Sequence, residues 1–327
     1  HLDYGNSKKI MKELYSNINI IGGGLIGVSS AFFLSNLGYK ITIIEKNPIY
    51  NIKKNNSDNR TIAISEGTKH FLEEHGIWSE IKKYAEPIKS IKVIDRKINN
   101  YLDFDNKRRN SNLGYIVKNK QVLDIFYKKV LENKNINIFN NASIKKIEHE
   151  NDSIKSFANN FKITSDINII ADGKNGSTIN LLKTPQYKKK YNKKALVLIL
   201  THEKNHENTA YEFFYKNGPL AVLPMQKRNG KFQSSIVWTN EVDYLDALSK
   251  STNKQIISFI EKHTHYFLGR VDKIISKKLF IISAHLNNRF YEKRTIYLGD
   301  SAHSIHPIAG QGWNLGMRDV KKLFEIA

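Results

Sequence analysis

The sequence contains no cysteine. This absence excludes a disulfide framework, a thiolate metal site and a redox-active dithiol. The sequence also lacks any run of about 18 consecutive apolar residues, so no segment is predicted to span a membrane as a helix. No secretory signal is visible, because the first apolar run has the pattern of a strand that ends in glycines.

Acidic residues are the scarcer charge, with 31 Asp and Glu against 52 Lys and Arg and a formal net charge of +21. A basic chain can bind nucleic acid or an anionic membrane surface. Here lysine predominates over arginine and is scattered among asparagine and isoleucine, which is typical of an AT-rich genome. The densest basic cluster, residues 188–194, is interpreted as a solvated linker face, and nucleic acid is not an expected partner.

Near the start of the chain, an apolar strand at Ile18–Ile21 runs into the glycine pattern Gly22-x-Gly24-x-x-Gly27. A helical segment follows, and a second strand ends at Glu45, about 20 residues after the glycines, as a dinucleotide fingerprint requires. The glycines permit a tight turn, close approach of a pyrophosphate and helix packing, while the acid can accept from a ribose hydroxyl. The alternative is a tight turn that binds nothing, and this context favours the fingerprint.

A second glycine-rich stretch lies near the other end. A short apolar strand precedes Gly299 and Asp300, further glycines follow Pro307, and a helix is predicted to begin near Asn314. Backbone N–H groups at glycines and at a helix start can approach a flat or phosphorylated ligand. Between the two stretches, Asp172-Gly173 follows a strand, where α/β proteins place ligand contacts. Taken alone, each could also be an ordinary turn.

The intervening residues change pattern. Strand-like runs from 195 to 238, separated by turn residues, predict antiparallel sheet. We therefore predict an α/β (α+β) fold in which a Rossmann-like βαβ domain carries an inserted, mostly antiparallel β-sheet substrate domain. The predicted cofactor domain comprises 11–88, 114–178 and 288–327, and the substrate domain 89–113 and 179–287. Residues 1–10 are interpreted as upstream or added residues.

Together these motifs resemble the FAD-dependent aromatic hydroxylases of the para-hydroxybenzoate hydroxylase type. Within that group, the ubiquinone-biosynthesis branch is similar in three segments: RTIAIS at 60–65, GPLAVLP at 218–224 and HPIAGQGWNLGMRD at 306–319. The resemblance covers about residues 17 to 327. Family members usually continue beyond the glycine loop, so we expect this chain to belong to a longer gene product.

The resemblance implies that residues from both ends bind one FAD. The implied cofactor-binding residues are Gly22, Gly24, Gly27, Glu45, Arg60, Asp172, Gly173, Gly299, Asp300, Pro307, Gly310, Gln311, Gly312, Asn314 and Leu315. Gly22, Gly24 and Gly27 would hold the pyrophosphate, and Glu45 would bind the ribose. Arg60 would lie near the flavin and its phosphates, and Asp172 with Gly173 would face the FAD and the route by which NAD(P)H approaches. Asp300 would contact the ribityl chain or the pyrophosphate. Pro307 and the segment from Gly310 to Leu315 would line the isoalloxazine ring.

The function implied is that of a monooxygenase. By this resemblance, NAD(P)H would reduce the FAD, O₂ would add at flavin C4a, and the hydroperoxide would hydroxylate a polyprenylated phenol in ubiquinone biosynthesis. His306 and Pro307 are the candidate catalytic residues, and His303 could assist in deprotonating the phenol. No metal site is expected. The enzyme is expected in the cytoplasm, peripheral to the inner membrane, with the membrane surface and other quinone-synthesis enzymes as partners.

Two alternatives stay open. One is a hydroxylase or halogenase of a soluble aromatic compound, although no lysine occurs in a Trp-x-Trp-x-Ile context. The other is a basic nucleic-acid-binding or membrane-binding module with a vestigial nucleotide fold. A reductase with two dinucleotide domains is excluded, because only one glycine fingerprint stands between a strand and a helix.

Overall fold

The structure is a computed structural model that describes residues 12–48, 60–95, 100–105, 111–304 and 312–327. Three β-sheets and eight α-helices are found within these ranges. The helices are α1 (Leu25–Ser35), α2 (Glu66–Glu74), α3 (Trp78–Ile81), α4 (Asn119–Glu132), α5 (Thr178–Leu181), α6 (Val242–Lys250), α7 (Asn253–Leu268) and α8 (Gly312–Ile326).

The first sheet is the dinucleotide-type sheet. Its main order is β17-β18-β11-β1-β2-β8, with β10 and β9 added beside β11. All neighbours from β18 to β8 are parallel. The strands are β1 (Lys12–Ile21), β2 (Ile41–Ile44), β8 (Ile136–Phe139), β9 (Lys146–His149), β10 (Ile154–Phe157), β11 (Phe161–Ile170), β17 (Tyr291–Glu292) and β18 (Thr295–Tyr297).

The second sheet has the order β19-β16-β12-β15-β14-β13-β5-β6 and is antiparallel except where β5 meets β13. Its strands are β5 (Ser90–Asp95), β6 (Asn100–Asp105), β12 (Gln186–His202), β13 (Thr209–Tyr215), β14 (Gly218–Arg228), β15 (Lys231–Glu241), β16 (Val271–Asn287) and β19 (His303–Ser304). A small third sheet, in the order β3-β7-β4, contains β3 (Thr61–Ile64), β4 (Glu86–Ile88) and β7 (Gly114–Lys118).

Side-chain alternation along the second sheet gives it two different faces. Leu198, Phe213 and Trp238 belong to one face, which packs with Ile256 and Ile260 of α7. The alternate residues of the same sheet, such as Ile199, Ala210 and Leu223, form the opposite face. This face packs with β4 and β7 of the third sheet. The second sheet is therefore covered by helices on one side and by the third sheet on the other.

The predicted α/β fold class is confirmed, because a parallel βαβ unit and a mostly antiparallel sheet are both present. The division into two domains stays a proposal. Sheet membership supports it except at β19, which lies in the predicted cofactor domain but pairs with β16 of the second sheet.

The interpretation of residues 188–194 as a linker is wrong. These residues lie inside β12 and pair with β16 on either side of a register shift between Lys190 and Lys194. Lys188, Lys189 and Lys190 are exposed, as expected for solvated cations. Because a ladder is formed by backbone groups, a strand can continue through lysines that point to solvent, which composition alone did not reveal.

Candidate functional site

Four predicted segments meet at one edge of the first sheet. Strands β1, β2, β11 and β18 are parallel, so their carboxyl ends lie on the same side. Gly22 follows β1, Glu45 follows β2, Asp172 follows β11, and Asp300 follows β18. This is the edge at which parallel α/β sheets bind ligands.

The three glycines after β1 have different surroundings. Gly22 has φ +111°, and a Cβ there would lie 2.3 Å from the carbonyl oxygen of Ala171. A Cβ at Gly27 would lie 1.9 Å from the carbonyl oxygen of Gly22, so helix α1 could not pack against the turn. A Cβ at Gly24 would meet nothing within 4 Å. Two of the glycines are thus required for packing, and the third borders open space.

That open space belongs to a cavity of about 210 Å³, which we call the first cavity. Gly22, Gly24, Glu45, Asp172 and Gly173 all line it. Gly24 is also the N-cap of α1, where no side chain caps the helix and the first turn carries no acid. No side chain of α1 itself therefore occupies its N-terminal N–H groups or its positive dipole end.

Glu45 is buried and anchored to the glycine turn. Its Oε2 accepts a hydrogen bond from the Gly23 N–H at 2.7 Å, and its Oε1 accepts from the backbone and side chain of Asn47, both at 2.9 Å. A carboxylate has about four acceptor positions, so one remains for a ligand hydroxyl. Tyr127 of α4 donates to the Gly23 carbonyl at 2.6 Å, and burial raises its pKa, which keeps it a donor.

Asp172 connects the end of β11 to the turn after β18. Its Oδ1 accepts from the Ser301 hydroxyl at 3.2 Å, and its Oδ2 accepts from the Thr178 N–H at 3.1 Å. The Ser301 oxygen in turn accepts from the Gly173 N–H at 2.8 Å. Asp172 therefore fixes the shape of the first cavity as well as lining it.

Residues from the two glycine stretches touch each other through Ile26 of α1. Gly299 has φ +57°, and a Cβ there would lie 2.9 Å from Ile26 Cγ1. A Cβ at Gly316 would lie 2.6 Å from Ile26 Cδ1 and 3.3 Å from the Gly299 Cα. Asp319 of α8 accepts from the Gly299 N–H at 2.9 Å and pairs with His303 Nε2 at 2.7 Å. The second turn is thus fixed to α8 by side chains.

A second cavity, of about 300 Å³, lies between this edge and the second sheet. Arg60, Lys174, Asp300 and Gly312 line it together with Phe280, over whose ring the Arg60 guanidinium lies at 5.9 Å. Desolvation raises the pKa of Asp300 above its usual range, although neighbouring His285, Lys174, His303 and Arg60 oppose that shift. The cavity joins residues from both ends of the chain.

A third, smaller cavity of about 130 Å³ lies between the second and third sheets. Its wall is mostly apolar and includes Ile88, Leu113 and Leu223, with Glu212 and Asn314 as polar members. Asn314 joins α8 to the β3–α2 turn. Its Nδ2 donates to Ala63 at 2.7 Å, and its Oδ1 accepts from the Ser65 N–H at 3.0 Å and the Thr68 hydroxyl at 2.9 Å.

The remaining predicted residues lie either outside the described residues or outside the three cavities. His306, Pro307, Gly310 and Gln311 lie outside the described residues. Leu315 is half-buried in the first turn of α8 and lines none of the three cavities. His303 is buried with its Nε2 bound to Asp319, which favours a structural role over proton transfer to a substrate.

Sequence reasoning missed Tyr127, Ser301, Asp319 and Glu212. Tyr127 lies at an apolar helical spacing, which predicts a helix but no contact with the glycine turn. Asp319 was visible in the quoted motif, but its partner Gly299 is 20 positions away, and only the fold brings them together.

The profile of a family described as "FAD binding domain" matches residues 15–326. The chain belongs to this family. FAD binding is therefore established at the level of the family, and the predicted family resemblance is confirmed.

Relatives with known names are similar over nearly the whole chain. The ubiquinone hydroxylase UbiM of Neisseria meningitidis is 24% identical over 98% of this chain and 70% of its own length. The 3-demethoxyubiquinol 3-hydroxylase of Escherichia coli is 24% identical over 95% of this chain and 79% of its own. Among solved structures, PqsL of Pseudomonas aeruginosa has a TM-score of 0.79 at 15% identity, covering 95% of this chain and 85% of PqsL. The structural likeness shows the fold.

The described residues fit a bound FAD. Gly24 leaves open space at the uncapped start of α1, Glu45 lines the same cavity, and a second cavity continues along Arg60, Asp300 and Gly312. No described group of three or more His, Asp or Glu side chains is arranged to hold a metal ion. None of the described helices is both long and apolar enough to cross a bilayer.

Proposed function

We propose that this protein is a FAD-dependent monooxygenase that uses NAD(P)H and O₂ to hydroxylate the ring of a polyprenylated phenol in ubiquinone biosynthesis. The names of the UbiM-type and Escherichia coli relatives support the substrate class. The observation that carries the proposal is the open space at Gly24 between the two crowded glycines. It provides a place for a pyrophosphate at a helix start, with Glu45 beside it.

Each part of the site has a role in this proposal. The α1 N-terminus binds the pyrophosphate through backbone N–H groups, and Glu45 accepts from a ribose hydroxyl. Asp300 and Arg60 orient the middle of the cofactor in the second cavity, and the second sheet excludes water from it. Bound FAD, reduced by NAD(P)H, supplies the activation of O₂ for ring hydroxylation. His306 and Pro307 remain candidate contacts to the reacting rings.

We also propose where the enzyme works in the cell. A substrate with a polyprenyl tail resides in a membrane, and we propose that the enzyme works at the cytoplasmic face of the inner membrane, near other quinone-synthesis enzymes. Although its many lysines are typical of an AT-rich genome, a net charge of +21 still attracts the chain to anionic lipid.

Product analysis under ¹⁸O₂ tests the function. Protein reconstituted with FAD is supplied with NAD(P)H and 2-polyprenylphenol in anionic vesicles, and the product is examined by mass spectrometry. We expect NAD(P)H consumption to rise with the phenol and the product to gain one ¹⁸O atom. A soluble phenol is assayed in parallel. If it is hydroxylated and the polyprenylated phenol is not, the soluble-aromatic alternative is supported instead. A hydroxylated product that contains no ¹⁸O would contradict a monooxygenase.

A further inference from the structure

The third cavity has the size and lining of a site for one aromatic ring. Its volume is about 130 Å³, and its wall is built mainly of aliphatic side chains from β3, β4, β5 and β14. An apolar cavity of about 150 Å³ is large enough to bind benzene in another protein. Asn314 and Ser65 in its wall link it to the first turn of α8, next to Gly312 and Trp313 of the second cavity.

Glu212 is an acidic residue in an otherwise mostly apolar wall. It lies on β13 opposite Ala221 of β14 and Val93 of β5, on the face of the second sheet that packs with the third sheet. Within the described part of the chain, no hydrogen bond or ion pair reaches its carboxyl. Burial raises its pKa to about 7. A carboxyl placed among aliphatic side chains without a partner is costly, and such costs persist mainly where a ligand is bound.

No charged side chain that the structure describes in the wall of this cavity compensates the Glu212 carboxyl. Among the described residues lining the cavity, Tyr211 is the other titratable one, and burial raises its pKa so that it stays neutral. Asp95 of β5 alternates onto the same sheet face, opposite Phe214. Glu86 of β4 accepts from Asn208 at 2.5 Å. No described cation lines this cavity.

We propose that the third cavity binds the phenol ring of the substrate and that Glu212 accepts the hydrogen bond and then the proton of its hydroxyl group. This inference rests on the proposed monooxygenase function. The O–H bond breaks, the proton passes to a Glu212 carboxylate oxygen, and the electron pair stays on the phenol oxygen. Electron density rises at the ring carbons ortho and para to that oxygen, which favours their hydroxylation. The proton returns to the product oxygen before release, which restores the carboxylate.

Binding measurements test the site without requiring turnover. Calorimetric titration compares 2-prenylphenol with prenylbenzene, which lacks only the hydroxyl group. We expect the wild-type protein to bind the phenol about tenfold or more tightly, as expected for a hydrogen bond to a charged group. Glu212→Leu should bind both compounds equally. If the wild type does not distinguish them, or if Glu212→Leu keeps the preference, the assignment is wrong.

Kinetics then separate proton transfer from binding. Glu212→Gln can still accept a hydrogen bond but cannot take a proton, so its KM should stay within a few-fold of wild type while kcat falls about 100-fold, a typical contribution of a general base. The wild-type kcat/KM should rise with pH through about 7, because only ionised Glu212 accepts a proton, and the variant should lose that rise.

The matched control is Glu207→Gln, which changes an exposed acid just before the same strand and should behave as wild type. Flavin absorption confirms that each variant retains FAD. An active wild type with an equally active Glu212→Gln variant of unchanged pH profile overturns the role of Glu212 alone. An inactive wild type contradicts the proposed function, whereas the titration still decides whether Glu212 recognises the phenol.

Discussion

The two glycine turns of this site are built in different ways. The turn at Gly22–Gly27 is maintained by backbone contact, since Gly27 packs against the carbonyl of Gly22 and Gly22 against that of Ala171. The turn at Gly299 is secured by side chains, because Asp319 of α8 accepts from its N–H group and from His303. The first turn depends on the absence of side chains, and the second on the presence of particular ones.

This difference predicts how each turn responds to change. A turn held by close backbone contact cannot accept even one methyl group, so substitutions there should act on the whole fold. A turn held by hydrogen-bonding side chains can lose them one at a time, and its losses should depend on pH because His303 titrates. Substitutions in each turn test this difference.

The largest effect is expected at Gly27. Gly27→Ala places a Cβ 1.9 Å from a backbone oxygen, so we expect a loss of about 3 kcal/mol or more in the free energy of unfolding. The Cβ of Gly24→Val meets open space, so the FAD-free protein should lose much less stability, about 1 kcal/mol or less for the poorer N-cap residue. This substitution should instead weaken FAD binding about 100-fold, roughly 2.7 kcal/mol, by blocking the pyrophosphate.

Denaturant unfolding and FAD titration of both variants measure this contrast. If Gly24→Val bound FAD as wild type does, the placement of the pyrophosphate at α1 would be wrong. If Gly27→Ala were as stable as wild type, the close packing of α1 on the turn would be wrong.

An intermediate effect is expected at Asp319. Asp319→Ala leaves the Gly299 N–H and buried His303 without their partner, so we expect a loss of about 2 kcal/mol. Burial lowers the pKa of His303, but the hydrogen bond and charge of Asp319 outweigh it and raise that pKa above its usual value. The stabilisation by this pair is therefore complete below about pH 6.5 and is lost as pH rises through the raised pKa.

Unfolding of the wild type and Asp319→Ala at pH 6 and pH 9 checks the sign. The difference in unfolding free energy should be larger at pH 6. Glu325→Ala removes an exposed acid from the same helix and should change stability by less than about 0.5 kcal/mol at either pH. An equal difference at both pH values would mean that the Asp319–His303 pair contributes no charge interaction.

The same contrast explains how far the sequence could predict the site. The turn at Gly22 is local, because strand, glycines, helix and acid follow one another within about 25 residues, and a local pattern carries its own geometry. The α/β class and the antiparallel second sheet were predictable for the same reason, from periodicity and turn residues. The sequence also placed Asp172 and Asp300 after strands, and parallel pairing then brought them to one edge.

What the sequence could not supply were partners distant in the chain. Asn314 meets Ala63 across about 250 positions, and Ser301 meets Asp172 across about 130, so neither pairing leaves a local pattern. Glu212 looked like an ordinary acid in an alternating strand, because alternation specifies a face but not what that face covers. The strand through the lysines at 188–194 was missed because its pairing depends on β16, about 90 residues later.

The smallest effect tests whether the two turns are coupled through Ile26. Gly316→Ala brings a Cβ within 2.6 Å of Ile26 Cδ1, an atom that valine lacks. The double variant Ile26→Val/Gly316→Ala should therefore be more stable than the sum of the single changes by about 0.5–1 kcal/mol. Gly67→Ala in α2 is the control, because its Cβ meets nothing within 4 Å, and it should add independently to Ile26→Val. Strict additivity for Gly316 as well would mean that the turns respond separately, since a shared contact that joins them must appear as a coupling energy in a double-mutant cycle.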